Sequence, residues 1–129
     1  MSNIEDRLAI RELAARYNRA FDYGNPEAWV DCFSEDGTFN MGSKQLAAGK
    51  EALLAFAKKA IPTMKVKHCT TDALVEVNGD TGTHDAYLIL VDFSDKTTVN
   101  NSGRYLDDVV KVNGEWKFKD ILINSRFQR

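Results

Sequence analysis

The sequence predicts an α+β domain in which three helices come first and cover one face of a curved antiparallel sheet built from the rest of the chain. Three observations carry that prediction. As far as Pro62, apolar residues recur at steps of three and four. From Lys65 onward they alternate, the period of a strand with one buried face. The alternating runs are parted by Asn78-Gly79-Asp80, Ser94-Asp95-Lys96 and Asn113-Gly114, each with the composition of a hairpin turn.

The first helix spans about 3 to 22. Ser2 and Glu5 have the spacing of a capping box, and Ile10, Leu13, Tyr17 and Phe21 form an apolar stripe flanked by Arg11, Glu12, Arg16 and Arg19. Gly24 can end it in the left-handed conformation. Asn25-Pro26-Glu27 restarts a short helix with Asn25 as cap and Pro26 at its first position, turning Trp29, Val30 and Phe33 inward. Asp36-Gly37 reads as a turn, Thr38 to Met41 as a short strand, and Gly42-Ser43-Lys44 as a second turn. A third helix begins at Gly49, carries Leu53, Leu54, Phe56, Ala57 and Ala60 on its apolar side, and stops at Pro62. Strands follow at about 65–77, 83–93, 97–112 and 115–124.

A chain of 129 residues, 43% hydrophobic and 28% charged, fits a single domain over 1–129 with room for a core and a pocket. Seventeen basic residues are scattered among 19 acidic ones for a net charge of −2, so no positive stripe points to nucleic acid. No apolar stretch approaches the roughly 20 residues of a membrane span. Met1 to Arg7 holds three charged residues with no apolar run after them, which leads us to expect a cytoplasmic protein with Cys32 and Cys69 reduced. His68 and His84 lack a close ligand pair, so no metal is expected. Gly79, Gly82 and Gly103 lie in or beside strands, and no glycine-rich loop opens a helix to cradle a nucleotide cofactor.

Asp22 ends the first helix, where the macrodipole is already negative, so its carboxylate needs a partner. His68 is the candidate: a carboxylate on one imidazole nitrogen leaves the other free as a base, and Tyr17, one turn earlier on the helix, can supply the complementary acid. Folding the first hairpin about Asn78 to Asp80 sets His68 opposite Leu90 or Asp92, with Asp92 opposite or diagonal. By parity, His84, Ala86, Leu88, Leu90 and Asp92 share one face of their strand, and Tyr87, Ile89 and Val91 the other. Cys69 must point away from the face that holds His68, which removes a Cys-His nucleophile pair. Each candidate also has a plain structural reading. His68 can be a satisfied strand histidine, Asp22 a side-chain turn into Gly24, Tyr17 a core ring, Asp92 a strand-end residue before Ser94, and His84 a pocket-edge or surface residue.

Ala9-Ile10-Arg11-Glu12-Leu13, Arg16-Tyr17, Phe21-Asp22, Trp29, Phe33, Asp36-Gly37, Gly49, His68, Gly103-x-Tyr105 and Gly114-x-Trp116-x-Phe118 together resemble the SnoaL-like group of the NTF2-like superfamily. The resemblance covers nearly the whole chain. It implies a cone-shaped α+β barrel of the cystatin-like kind, with the helices on the concave face and a ligand pocket at the open end. The group is related to dehydratases, a dehydrochlorinase, polyketide cyclases and isomerases, alongside members without catalysis. In the eliminating members an aspartate at the end of the first helix orients a histidine on the first long strand, and those positions fall on Asp22 and His68. Bile acid dehydratase has a tyrosine where Tyr17 stands and the dehydrochlorinase a lysine, so the likeness favours loss of water over loss of chloride. Ketosteroid isomerase places its basic carboxylate near Met41, and a thioether cannot abstract a proton.

The function expected from these readings is a cofactor-independent lyase of the dehydratase type acting on a hydrophobic small molecule. His68 would be the base, Asp22 its orienting partner and Tyr17 the donor, with Asp92 as a further candidate. A cyclase or isomerase using the same pocket, or a binding module that does not react, are the alternatives. A curved sheet covered on one face leaves its outer face to be covered by another copy, so a homodimer or homotrimer is expected, with Tyr87, Ile89 and Val91 in the contact.

Overall fold

The computed structural model describes residues 3–127. The chain runs α1 (Ile4–Asp22), α2 (Pro26–Asp31), β1 (Phe33–Met41), β2 (Lys44–Ala48), α3 (Lys50–Ala60), a 3-10 turn at Ile61–Thr63, β3 (Val66–Asn78), β4 (Thr81–Asp92), β5 (Thr98–Val112) and β6 (Glu115–Ser125). Three helices and one curved, unclosed sheet of order β2-β1-β6-β5-β4-β3 give the expected α+β class.

α1 forms where its stripe predicts, burying Ile10, Leu13, Ala14, Tyr17, Asn18, Ala20 and Phe21. Its N-cap is Asn3, which makes no side-chain capping bond, and the Ser2 half of the expected capping box lies outside the described residues. Gly24 has φ +77°, and its N–H donates to Phe21 O at 3.1 Å to close the helix. Asn25 caps α2 by accepting from Ala28 N at 3.0 Å, with Pro26 at the first position. The third helix opens from Gly49 at φ +84° and gives way to the 3-10 turn that contains Pro62.

The sheet departs from expectation on one side. Asp36-Gly37 is not a free turn: it sits inside β1, which begins at Phe33, at the point where pairing with β6 shifts register between Phe33 and Thr38. After the turn at Gly42-Ser43 the chain continues as β2, pairing back on β1. Of the five β2 residues only Ala47 is buried, so this edge strand shows no alternation in sequence. β1 runs parallel to β6, which closes the β1–β2 hairpin onto the four-stranded meander β3 to β6.

A bulge in β3 matters for the site. His68 pairs with Leu90 in one register, and beyond the shift between Thr71 and Leu74 the pairing advances by one residue. Asp72 takes φ +54° there, so Val66 faces the core on one side of the bulge and Val75 on the other, although their numbers differ in parity. Arg11 of α1 donates to the bulge carbonyl, Ala73 O, at 2.7 Å.

Gly103 lies on the inner face opposite Leu88, and a Cβ built there would come 2.5 Å from Asn124 O, a backbone atom that cannot step aside. Gly103→Ala should therefore destabilise the fold by about 1–3 kcal/mol, read from denaturant midpoints at unchanged m-value.

Candidate active site

The last residue of α1 and the third residue of β3 meet at the mouth of the sheet. Asp22 Oδ1 lies 2.6 Å from His68 Nδ1, and Asp22 Oδ2 accepts from the backbone N–H of His68 at 2.9 Å. The carboxylate is thus used at both oxygens by one residue, and it makes no side-chain turn into Gly24. Side-chain exposure is 5% for Asp22 and 11% for His68. With an ionised carboxylate facing it, Nδ1 carries the proton it donates and Nε2 keeps the free lone pair. The Phe21 ring stands edge-on to the imidazole, centroids 5.1 Å apart.

His68 lines a cavity of about 120 Å³, in the size range that holds a single benzene-sized ring. Tyr17, Phe21, Trp29, Phe39 and Phe56 supply aromatic walls, Met41 and Met64 thioethers, and Asn101, Ser102 and Ser125 a polar rim. Among the described residues no Lys, Arg, Asp or Glu lines it. Sequence reasoning did not single out the rim residues, because their strands read only as alternating.

Tyr17 joins His68 in that cavity. Its ring is core, packed against Trp29, Phe33, Tyr105 and Phe118 at centroid distances of 5.4–6.0 Å. Burial holds its pKa well above the ordinary phenol range, with Tyr105 and Asp107 adding to the rise, so the hydroxyl stays protonated. Asp92 stays outside the group. It pairs with Val66 at the strand end and turns its carboxylate onto Ser94, accepting from the backbone N at 2.8 Å and from Oγ at 2.6 Å, bonds that hold its pKa below the usual carboxylate value. Cys69 is exposed on the reverse face of β3, and burial pushes the Cys32 thiol up to about 11, so neither serves the cavity.

His84 corrects the reading of it as a pocket-edge or surface residue. It is 2% exposed, and its Nδ1 lies 2.9 Å from Oδ2 of Asp107, itself 3% exposed, making a second His-Asp pair deeper in the sheet. Parity had set His84 beside Ala86 and Leu88, and the register of the second hairpin places Asp107 directly opposite. That signal was present in the sequence. Asn18, also unremarked, is buried and donates to Thr70 Oγ1 at 3.3 Å. Among the described residues no group of three or more His, Cys, Asp or Glu is placed to hold a metal ion, and no helix is long and apolar enough to cross a membrane.

Burial pushes Asp107 up to about 6 from an ordinary 3.8, against the lowering effect of His84. A carboxyl raised on folding contributes stability that is full below pH 3.8 and lost as pH climbs through about 6. The unfolding free energy of the wild type, relative to Asp107→Asn, should accordingly fall across that window, measured by urea titrations at stepped pH.

Solved structures with the same architecture include a protein of unknown function from Mycobacterium tuberculosis, 28% identical, covering 98% of this chain and 79% of that one at a TM-score of 0.91. A second, from Nostoc punctiforme, also of unknown function and with a cystatin-like fold, is 29% identical over 98% of this chain and 94% of that one, TM-score 0.87. A scytalone dehydratase-like protein from Novosphingobium aromaticivorans shares the fold at 23% identity, over 97% of this chain and 87% of that one, TM-score 0.83. No curated protein matches the sequence. The SnoaL-like domain matches residues 2–121, nearly the whole length over which Asp22, His68 and the cavity walls are distributed, and the chain belongs to that family.

Proposed function

We propose that the cavity is the active site of a dehydratase-type lyase that removes water from a small uncharged carbonyl compound. One observation carries the reading: Asp22 grips His68 at both its ring Nδ1 and its backbone N–H, leaving Nε2 as a fixed lone pair at the wall of an apolar cavity. His68 Nε2 takes a proton from the carbon beside the carbonyl. Tyr17 donates to the carbonyl oxygen as negative charge develops there. The carbon–carbon double bond forms as the β-hydroxyl leaves, and the proton held on His68 goes with it, so that one water is lost and the imidazole is neutral again. Asp22 keeps the tautomer and stabilises the transient imidazolium. Because no charged side chain among the described residues lines the cavity, a neutral ring-sized substrate suits it better than an acid.

Assembly belongs to the same proposal. The outer face of the sheet exposes Leu74 at 70% and Tyr87 at 46%, with Phe127 packed on Tyr87 at 5.6 Å, beside the Asp85–Arg104 ion pair and the half-buried Ile89 and Val91, a mixed apolar and charged surface for a second copy. Sedimentation at micromolar concentration should show a homodimer or homotrimer; a single species near 14.5 kDa would refute it.

His68→Gln and Asp22→Asn test the chemistry. Against β-hydroxy carbonyl compounds followed by ultraviolet absorbance, each should lower turnover by roughly a hundredfold or more. Ligand affinity should hold and the melting temperature should fall only modestly, since neither change opens an apolar cavity. Full activity in both variants would make the pair structural. Tight binding by wild type and variants alike without turnover of any compound would assign a binding module.

A further inference from the structure

Three residues on neighbouring strands form a row across the inner face of the sheet. His68 on β3 pairs with Leu90 on β4, and Leu90 pairs with Asn101 on β5; all three line the cavity. Paired residues share a face and strands lie about 4.8 Å apart, so the His68 and Asn101 backbones stand roughly 10 Å from each other with Leu90 between them. Leu88 continues that apolar floor, and its partner Gly103 adds no side chain to it. Asn100 is the extra residue of a bulge, since the pairing passes from Leu90 with Asn101 to Val91 with Val99. A bulge beside a site can re-aim the side chain next to it. Here the Asn101 carboxamide turns back on its own chain, with Oδ1 accepting from the Ser102 N–H at 2.8 Å. Only the oxygen of an amide can meet an N–H, so the NH2 group is left as the free end, and it makes no hydrogen bond among the described residues.

We propose that Asn101 is a specificity-determining residue: its NH2 group donates a hydrogen bond to a ligand oxygen on the side of the cavity away from His68, so that the cavity selects neutral rings oxygenated at both ends over rings with a single oxygen. This rests on the reading of the cavity as a ligand site and names the class of ligand; it does not depend on the reaction assigned to His68. An amide NH2 has two N–H donors and no acceptor, so it recognises a carbonyl, ether or hydroxyl oxygen and gains nothing from a methylene in the same place. It carries no charge, in keeping with a neutral ligand. The bond from Ser102 holds the carboxamide before any ligand arrives, which lowers the cost of ordering it on binding. A backbone separation of roughly 10 Å, shortened from both sides by side chains, leaves room for one six-membered ring with an oxygen at each end.

The test compares 1,4-cyclohexanedione with 4-methylenecyclohexanone, which share a ring and nearly a shape and differ by one oxygen replaced with a methylene. Binding of each is measured by titration calorimetry. The wild type should bind the dione roughly three- to tenfold more tightly, although the methylene compound is the more apolar of the two. Asn101→Ala should abolish that preference. Asn101→Asp keeps an oxygen on the Ser102 N–H and sets a carboxylate oxygen where the NH2 group stood, so it should turn the preference toward the methylene compound. Asn101 is exposed, so neither substitution should disturb the fold. In the wild type, a side-chain amide proton of Asn101 should move downfield when the dione is added and stay in place with the methylene compound.

Equal affinity of the wild type for the two compounds, binding of neither, or a preference that survives Asn101→Asp overturns the proposal. So does a preference that survives in both Asn101 variants and is lost in Ser125→Ala, which would give the second oxygen to Ser125 on the same rim. His68→Gln should keep the preference for the dione. Turnover in that variant tests the lyase reading and the preference tests this one, so either can fail without the other.

Discussion

The contact on which the remainder depends is the seam between α1 and β3. β3 is an edge strand, paired to β4 alone, and its other side is closed by the helix. Three polar rungs fasten it: Arg11 to Ala73 O, Asn18 to Thr70, and Asp22 to His68. They climb the helix as they descend the strand, so helix and strand are held in one relative position. A carboxylate at the negative end of a helix is unfavourable alone. The two donors of His68 offset that, and the same two bonds hold the imidazole at the cavity mouth.

Behind the seam the core is chiefly aromatic. Tyr17, Phe21, Trp29, Phe33, Phe39, Phe56, Tyr105 and Phe118 meet largely edge-on or tilted, geometries worth about 0.5–1.5 kcal/mol per pair beyond their buried area. Such rings are stiff, so polar atoms attached to them are stiff as well. The Tyr17 hydroxyl needs no separate scaffold, since the ring that carries it is already a core residue. The polar groups packed lower down, His84 with Asp107, satisfy each other across β4 and β5 and are joined by the Leu122 N–H at 3.3 Å.

Much of this was legible because it is local. The ends of α1, the Asn25 cap and the three hairpins follow from residues within a few positions of one another, and the first hairpin alone narrows the partner of His68 to Leu90 or Asp92, of which the structure takes Leu90. The contact between Asp22 and His68 is a long-range fact, and it was reachable because helix polarity left Asp22 in want of a partner and because the resemblance to the SnoaL-like group sets an aspartate and a histidine at these two positions. What escaped was either masked or non-local. β2 buries a single residue and has no pattern to read, and the parallel pairing of β1 with β6 joins segments some eighty positions apart. Asp92 shares parity with Leu88 and Leu90, but it ends its strand, and the adjacent Ser94 offers two donors that a short carboxylate reaches first. His84 was misplaced by treating a histidine as rim material when its own strand neighbours, Ala86 and Leu88, already marked the inner face.

The seam and the chamber walls come from different parts of the chain. Asp22 and His68 belong to α1 and β3, whereas the walls around them draw heavily on β1, α3, β5 and β6 through Met41, Phe56, Asn101 and Ile123. None of these four wall side chains hydrogen-bonds to Asp22 or His68, so replacing one alters the shape of the chamber and leaves the two dyad bonds intact. Lineages of this fold can therefore reshape the chamber by drift in the walls, each intermediate keeping the Asp22–His68 contact intact.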